Sequence, residues 1–141
     1  MEWTRSRERA AALEGATGIE APVGAWILVI DDEENFATLL ETILTDRGYG
    51  VQTALSEDAA LKVVEKRAFD LALVDVRMGQ SSGLSVLNQL KQRLPKIKVI
   101  MITAYPTPDS YQQSLQKGAS AYCTKPLNFP YLLETIRRVL S

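Results

Sequence analysis

The sequence predicts an α/β fold: a doubly wound parallel sheet of five strands joined by five helices. Three observations carry the prediction. Short unbroken apolar runs recur, among them Ile27-Leu28-Val29-Ile30, Leu71-Ala72-Leu73-Val74 and Val99-Ile100-Met101-Ile102. Runs of this kind suit strands buried on both faces of a sheet. Between them lie segments whose apolar residues recur three and four apart, as in helices with one buried face. Gly, Pro, Ser and Asn stand at the junctions, where caps and turns belong. Strands that alternate with helices pair in parallel through right-handed crossovers, and the helices cover both faces.

Residues 1–24 differ from the rest. Arg and Glu alternate from Arg5 to Glu14, followed by Gly15, Gly18, Pro22 and Gly24. A helix around Ser6 to Glu14 has no apolar stripe to bury and is marginal alone. The stretch reads as a disordered or linker tail, leaving 25–141 as the domain.

From Ala25 the units follow in order. After the first strand, Glu33-Glu34-Asn35 opens a helix with Phe36, Leu39, Leu40, Ile43 and Leu44 as its inward stripe. Acids in its first turn suit the helix dipole, and Gly48 suits the position that ends it. The second strand, near Val51 to Ala54, is shorter and more polar, as an edge strand would be. Ser56 caps a helix with Ala60, Leu61 and Val64 inward. The third strand, Leu71 to Val74, ends in Asp75, and the loop Val76 to Gly83 has turn chemistry. The next helix carries Leu84, Leu87, Leu90 and Leu94, and Pro95 stops it. The fourth strand ends at Thr103. Tyr105-Pro106-Thr107-Pro108 leads to a polar helix whose apolar anchors are Tyr111 and Leu115. The fifth strand, Ala121 to Thr124, runs into Lys125-Pro126. Asn128 caps the last helix, with Phe129, Leu132, Leu133, Ile136, Val139 and Leu140 on its apolar side.

Composition narrows the function. The chain has 141 residues, 46% apolar and 23% charged, which fits one globular domain. A formal net charge of −1 gives no reason to expect nucleic acid or an anionic membrane as partner. There is no histidine, so His catalysis and His metal sites are excluded. Cys123 is the only cysteine, which excludes an internal disulfide and a Cys-rich zinc site and fits a reducing compartment. No apolar run is long enough to span a bilayer. The expected location is the cytoplasm.

Four strands deliver polar groups to one sheet edge: Asp31-Asp32, Asp75, Thr103 and Lys125. Open α/β folds bind ligands at that carboxyl edge. If the first and third strands pair, Asp31, Asp32 and Asp75 become neighbours, and three carboxylates so placed repel unless a cation sits among them. Oxygen ligands that leave room for water and a phosphate suit Mg²⁺. Lys125 supplies a positive charge and Thr103 a hydroxyl donor. Phosphoryl transfer needs mainly charge neutralisation and positioning, with one carboxylate as nucleophile. Each group taken singly has a plainer reading. An acid pair after a strand is often a helix cap, an Asp at a strand end is as often structural as functional, and Lys-Pro is a loop. The specificity lies in the combination.

Asp31-Asp32, Asp75, Thr103-Ala104 and Lys125-Pro126, in this order on successive strands, resemble the receiver domain of bacterial two-component response regulators, the CheY-like domains. Met78 and Gly83 after Asp75, Tyr105 after Thr103-Ala104, and Tyr122 before Lys125 match the same family's local patterns. The resemblance spans about Trp26 to Leu140.

It implies a flavodoxin-like sheet of order 2-1-3-4-5, with the site at the switch point between the first and third strands. Asp75 would accept a phosphoryl group from a histidine kinase or phosphotransfer protein. Asp32 would bind Mg²⁺ directly, Asp31 mainly through water, and Asp75 and the backbone carbonyl of Arg77 would complete the protein ligands. Lys125 would pair with the phosphate, before a Lys125-Pro126 bond that is typically cis in the family. Thr103 would move to the phosphate and Tyr122 would turn inward behind it. The face of the fourth helix, fifth strand and fifth helix would meet a downstream protein or a second copy. Arg77 and Tyr105 would flank the phosphorylated Asp75 and slow its hydrolysis.

Two departures stand out. The family usually has proline after Met78, where this chain has Gly79, a more flexible choice. Pro106 and Pro108 stiffen the loop that would rearrange, so the expected movement is confined mainly to Thr103 and Tyr122. The expected role is a phosphorylation switch, not a turnover enzyme. Aspartate-nucleophile phosphatases place a second acid two residues after the first, on the first strand, whereas here Asp31 and Asp32 are adjacent and position 33 is Glu. A degenerate, unphosphorylated interaction module and a receiver belonging to a hybrid kinase or transcriptional activator stay open as alternatives. No helix-turn-helix follows within these residues, so this domain is not expected to bind DNA.

Overall fold

The computed structural model describes residues 24–141. The tail expected over 1–24, with its short helix, lies outside the described residues except for Gly24. The elements are β1 (Trp26–Ile30), α1 (Glu34–Asp46), β2 (Gly50–Ala54), α2 (Glu57–Lys66), β3 (Leu71–Asp75), α3 (Gly83–Arg93), β4 (Lys98–Thr103), α4 (Pro108–Gln116), β5 (Ala121–Thr124) and α5 (Phe129–Leu140). The five strands pair in parallel in the order β2-β1-β3-β4-β5, with β2 at one edge as expected.

Side chains alternate across each strand and split the core into two layers. Leu28, Ile30, Ala72, Val74, Val99 and Met101 face α2 and α3, meeting Ala60, Val64, Val86, Leu87 and Leu90. Ile27, Val29, Leu71, Leu73, Ile100 and Ile102 face α1 and α5, meeting Ala37, Leu40, Leu44, Leu132 and Ile136. The register then sets the functional edge. Ile30 pairs with Val74, so Asp31 and Asp75 leave the sheet at the same level. Asp75 pairs with Ile102, and Thr103 with Thr124, so Thr103 and Lys125 emerge beside them.

Local signals in the sequence place the caps. Ser56 Oγ accepts from the Ala59 amide, and Asn128 Oδ1 from the Tyr131 amide. Gly48 adopts φ +92, the left-handed conformation that ends a helix. Ser82 also caps α3 through the Leu84 amide, a role not assigned from the sequence.

Three expectations of burial need correcting. Leu39 was placed on the inward stripe of α1, yet it is 45% exposed. The stripe runs through Ala37, Leu40 and Leu44, and Leu39 lies about 100° round the helix from Leu40. Tyr111 and Leu115 were expected to anchor α4, yet they are 49% and 43% exposed. Ser114 is the residue of α4 that faces inward, its Oγ bonded to the Ser110 carbonyl at 2.7 Å. A satisfied hydroxyl on a short side chain lets α4 approach closely, which no apolar count reveals.

The loop after β3 contains a feature the sequence reading lacked. Arg77–Met78 and Ser81–Ser82 pair as a two-residue antiparallel ribbon. Gly79 turns it at φ +55, with no other residue of that turn at positive φ. That pattern belongs to a hairpin turn with glycine first, and proline, fixed near −65°, cannot adopt it. Gly79 therefore shapes this turn instead of merely loosening the loop. Among the described residues, no helix is long and apolar enough to cross a membrane.

Candidate functional site

The three acids expected at the sheet edge come together. Asp31, Asp32 and Asp75 each offer a carboxylate oxygen within 4.8 Å of the others. Asp31 and Asp75 are buried and Asp32 is exposed, so the cluster opens to solvent on one side. Oxygen donors, an open side and no nitrogen or sulfur ligand fit a hard divalent cation that keeps some of its water.

Asp31 does two jobs with its two oxygens. Oδ1 accepts from the Glu33 amide at 2.8 Å, tying down the turn into α1, and Oδ2 accepts from Lys125 Nζ at 3.1 Å. Neither acid of the pair caps the helix, because α1 starts after Glu33 with no side-chain cap, and Asp31 instead braces the turn just before it. Asp75 is arranged alike: Oδ1 accepts from the Arg77 amide at 3.1 Å and Oδ2 from Lys125 Nζ at 3.3 Å.

Lys125 crosses the pocket from the end of β5. Its amide bonds the Thr103 carbonyl at 2.8 Å, and the Lys125-Pro126 peptide is cis, as expected. The side chain is 17% exposed, and its ammonium lies 4.0 Å from the centre of the Phe36 ring.

Electrostatics follow from this packing. Burial raises the Asp75 pKa, and the Asp31 charge adds to that, while the Arg77 amide and Lys125 pull the other way; the net shift is upward. For Lys125, burial alone lowers the pKa. The hydrogen bond and charge of Asp31, with those of Asp75, together outweigh burial and leave it raised. The ammonium is held charged by the two acids that flank it.

Thr103 and Tyr122 sit just beyond this core. Thr103 is fully buried, its Oγ1 accepting from the Tyr105 amide at 3.0 Å. The Tyr122 ring is half-buried and meets Tyr111 edge to face at 5.3 Å, and its hydroxyl lies 2.5 Å from Ser110 Oγ. The Arg77 guanidinium lies 4.8 Å from the centre of the Tyr105 ring, so the two residues expected to flank Asp75 touch each other. Phe36, Ser110 and Tyr111 were not assigned to the site from sequence. Phe36 reads there as part of a helical stripe, although it falls just one turn beyond Asp32.

Comparison with known proteins agrees with the geometry. The model of the response regulator receiver domain family matches residues 27–137. The chain therefore belongs to the response regulator receiver family, the signalling domains of two-component systems. Among curated relatives, the transcriptional regulatory protein ZraR of Escherichia coli O157:H7 is 39% identical over 115 residues, 82% of this chain and 26% of ZraR. The chain thus spans about a quarter of that relative. A response regulator from Burkholderia pseudomallei, solved with a phosphorylated aspartic acid, a calcium ion and citrate, superposes with a TM-score of 0.76 at 35% identity, covering 79% of this chain and 66% of that one. TrrA from Thermotoga maritima, solved with Mg(2+)-BeF, gives 0.74 at 34% identity, covering 82% and 99%.

Proposed function

We propose that this domain is a phosphorylation-controlled switch in which Asp75 accepts a phosphoryl group from a histidine kinase or phosphotransfer protein. The observation that carries the reading is one ammonium, Lys125 Nζ, bonded to both Asp31 and Asp75 within a cluster of three acids. Asp32 and Asp75 would hold Mg²⁺ directly with the Arg77 backbone carbonyl, and Asp31 mainly through water. The cation would neutralise negative charge on the incoming phosphoryl group and the carboxylates.

An oxygen of Asp75 attacks phosphorus, a P–O bond forms, and the P–N bond to the donor imidazole breaks. The imidazole leaves with the bonding pair. Lys125 follows the new charge on the phosphoryl oxygens. Thr103 gives up its bond to the Tyr105 amide and donates to the phosphoryl group. Tyr122 turns into the space left behind and changes the face of α4, β5 and α5. Tyr111 and Leu115, exposed on α4, would make that face apolar enough to meet a downstream protein or a second copy. Similarity to ZraR favours one further reading, in which the domain controls a larger transcriptional regulator.

Intact mass after incubation with Mg²⁺ and acetyl phosphate tests the acceptor. The wild type should gain one phosphoryl group, and Asp75→Asn none. A wild type that gains nothing from acetyl phosphate or from a phosphorylated kinase would favour a constitutive interaction module.

The contact between Arg77 and Tyr105 bears on how long the phosphoryl group persists. If both flank Asp75 as the family resemblance implies, the two side chains would shield the acyl phosphate from water. Replacing both with alanine should shorten its lifetime severalfold, measured by the decay of the phosphorylated mass once the donor is removed. An unchanged lifetime would show that they give no shelter.

A further inference from the structure

We infer that Phe36 is a positioning residue for Lys125, the face of its ring holding the ammonium over Asp31 and Asp75. The inference rests on the phosphoacceptor reading above. Lysine is a point charge on a flexible four-carbon stem, so a site that needs its charge at one place must restrain it. Asp31 and Asp75 take hydrogen bonds from Nζ at 3.1 and 3.3 Å. The Phe36 ring centre, at 4.0 Å, is within the range in which a ring face attracts a cation.

Three features make this more than incidental packing. The ammonium is mostly shielded from water, with 17% of the side chain exposed, so the attraction is weakly screened. The ring is itself held, because Phe36 packs against the α1–α5 core layer. Its helix is also anchored to the site: the bond from the Glu33 amide to Asp31 Oδ1 fixes the turn that leads into α1. The acid that binds the ammonium thus also sets the start of the helix that presents the ring.

The plain alternative is that Phe36 only fills space at the edge of the core, in which case any apolar residue of similar bulk would serve. Progressive fluorination separates the two, since it weakens the negative face of the ring while nearly preserving its shape. The experiment places phenylalanine, then mono-, tri- and pentafluorophenylalanine, at position 36 in the full chain. It follows phosphoryl uptake from acetyl phosphate at saturating Mg²⁺. In that reaction the bond from Asp75 to phosphorus forms and the P–O bond to acetate breaks, acetate leaving with the pair.

The logarithm of the uptake rate should fall steadily across the series, by about tenfold at the pentafluoro end, as expected when a mostly desolvated cation–π contact is removed. Phe36→Tyr should keep the rate, and Phe36→Leu should lose it with little change in melting temperature. A second readout needs no phosphorylation. The ring should shift the Lys125 ε-methylene protons upfield, and Phe36→Leu should return them to ordinary lysine values. A flat series in a protein that does take up phosphate overturns the role of Phe36 and leaves Asp75 as acceptor. Lysine resonances that stay put in Phe36→Leu overturn the contact. No uptake by the unsubstituted protein, from acetyl phosphate or a phosphorylated kinase, overturns the acceptor reading and the role of Phe36 with it.

Discussion

Gly83→Ala should lower the melting temperature by about 10 °C and weaken the acidic site with it, although alanine is otherwise the better helix former. A Cβ built on Gly83 would lie 2.1 Å from the Asp75 carbonyl oxygen and 2.8 Å from the Val76 Cα. Those are backbone atoms and cannot swing aside as a side chain can. They are also pinned from the other side, since the Val76 amide bonds the Ile102 carbonyl at 2.8 Å and the Gly83 amide bonds the Val76 carbonyl at 2.8 Å. Either α3 moves outward or the exit of β3 moves inward. Overpacking of this kind costs about 3 kcal/mol, at the upper end of its usual range. Because the clash falls on the Asp75 backbone, Mg²⁺ affinity and phosphoryl uptake should fall further than the loss of stability accounts for. Calorimetry with a parallel Mg²⁺ titration checks both. A variant with near-normal melting would mean that the end of α3 adjusts freely.

Lys125→Ala should destabilise the protein in EDTA at neutral pH by about 3 kcal/mol, the cost of removing one partner from a buried ion pair. Lys125 bonds to both buried acids, and Asp31 and Asp75 would then face each other uncompensated. The difference from wild type should depend on pH at both ends. The Asp75 pKa is raised, chiefly by burial, so on acidification it protonates before an ordinary aspartate and the repulsion goes with its charge. The Lys125 pKa is raised above its ordinary 10.5. Its stabilising contribution is therefore fully present below that value and is lost as pH rises through the higher folded value. The gap should be widest between these limits and narrow outside them. The variant should also bind Mg²⁺ more tightly, because a cation that competes for the same oxygens is gone. Urea unfolding across pH, with and without Mg²⁺, tests all three. A loss below about 1 kcal/mol at neutral pH would place this ion pair with the weakly contributing surface pairs.

Much of this was legible in the sequence. Apolar runs such as Leu71 to Val74 suit strands buried on both faces, and the spacing of Leu84, Leu87 and Leu90 suits a helix with one buried face. Ser56 and Asn128 marked helix starts because their side chains accept from amides that a helix leaves unpaired. The acids, hydroxyl and amine of the site were readable because each stands at or just past the end of a strand, and parallel strands all end at one edge. What stayed hidden depends on how helices turn and how closely they pack. Leu39 looked buried because a spacing rule cannot choose among adjacent stripes on a short helix. Ser114 drew no notice as the inward residue of α4 because a hydroxyl satisfied within its own helix counts as polar in a sequence.

The sequence by itself determined the order of the elements, the chemistry available at the sheet edge and the residues that bring it there. Those are set by local pattern and by the covalent order of the chain. Only the tertiary structure decided that Lys125 bonds to both Asp31 and Asp75, that Phe36 lies over it, that Tyr122 meets Ser110, and that Gly83 rests on the backbone of Asp75. Some of those contacts join residues far apart in the chain, across as many as 94 positions for Lys125 and Asp31, and the nearer ones depend on how a helix packs back on the sheet. Their distances follow from strand register and helix packing, which act on the whole sheet at once and cannot be read from any single position.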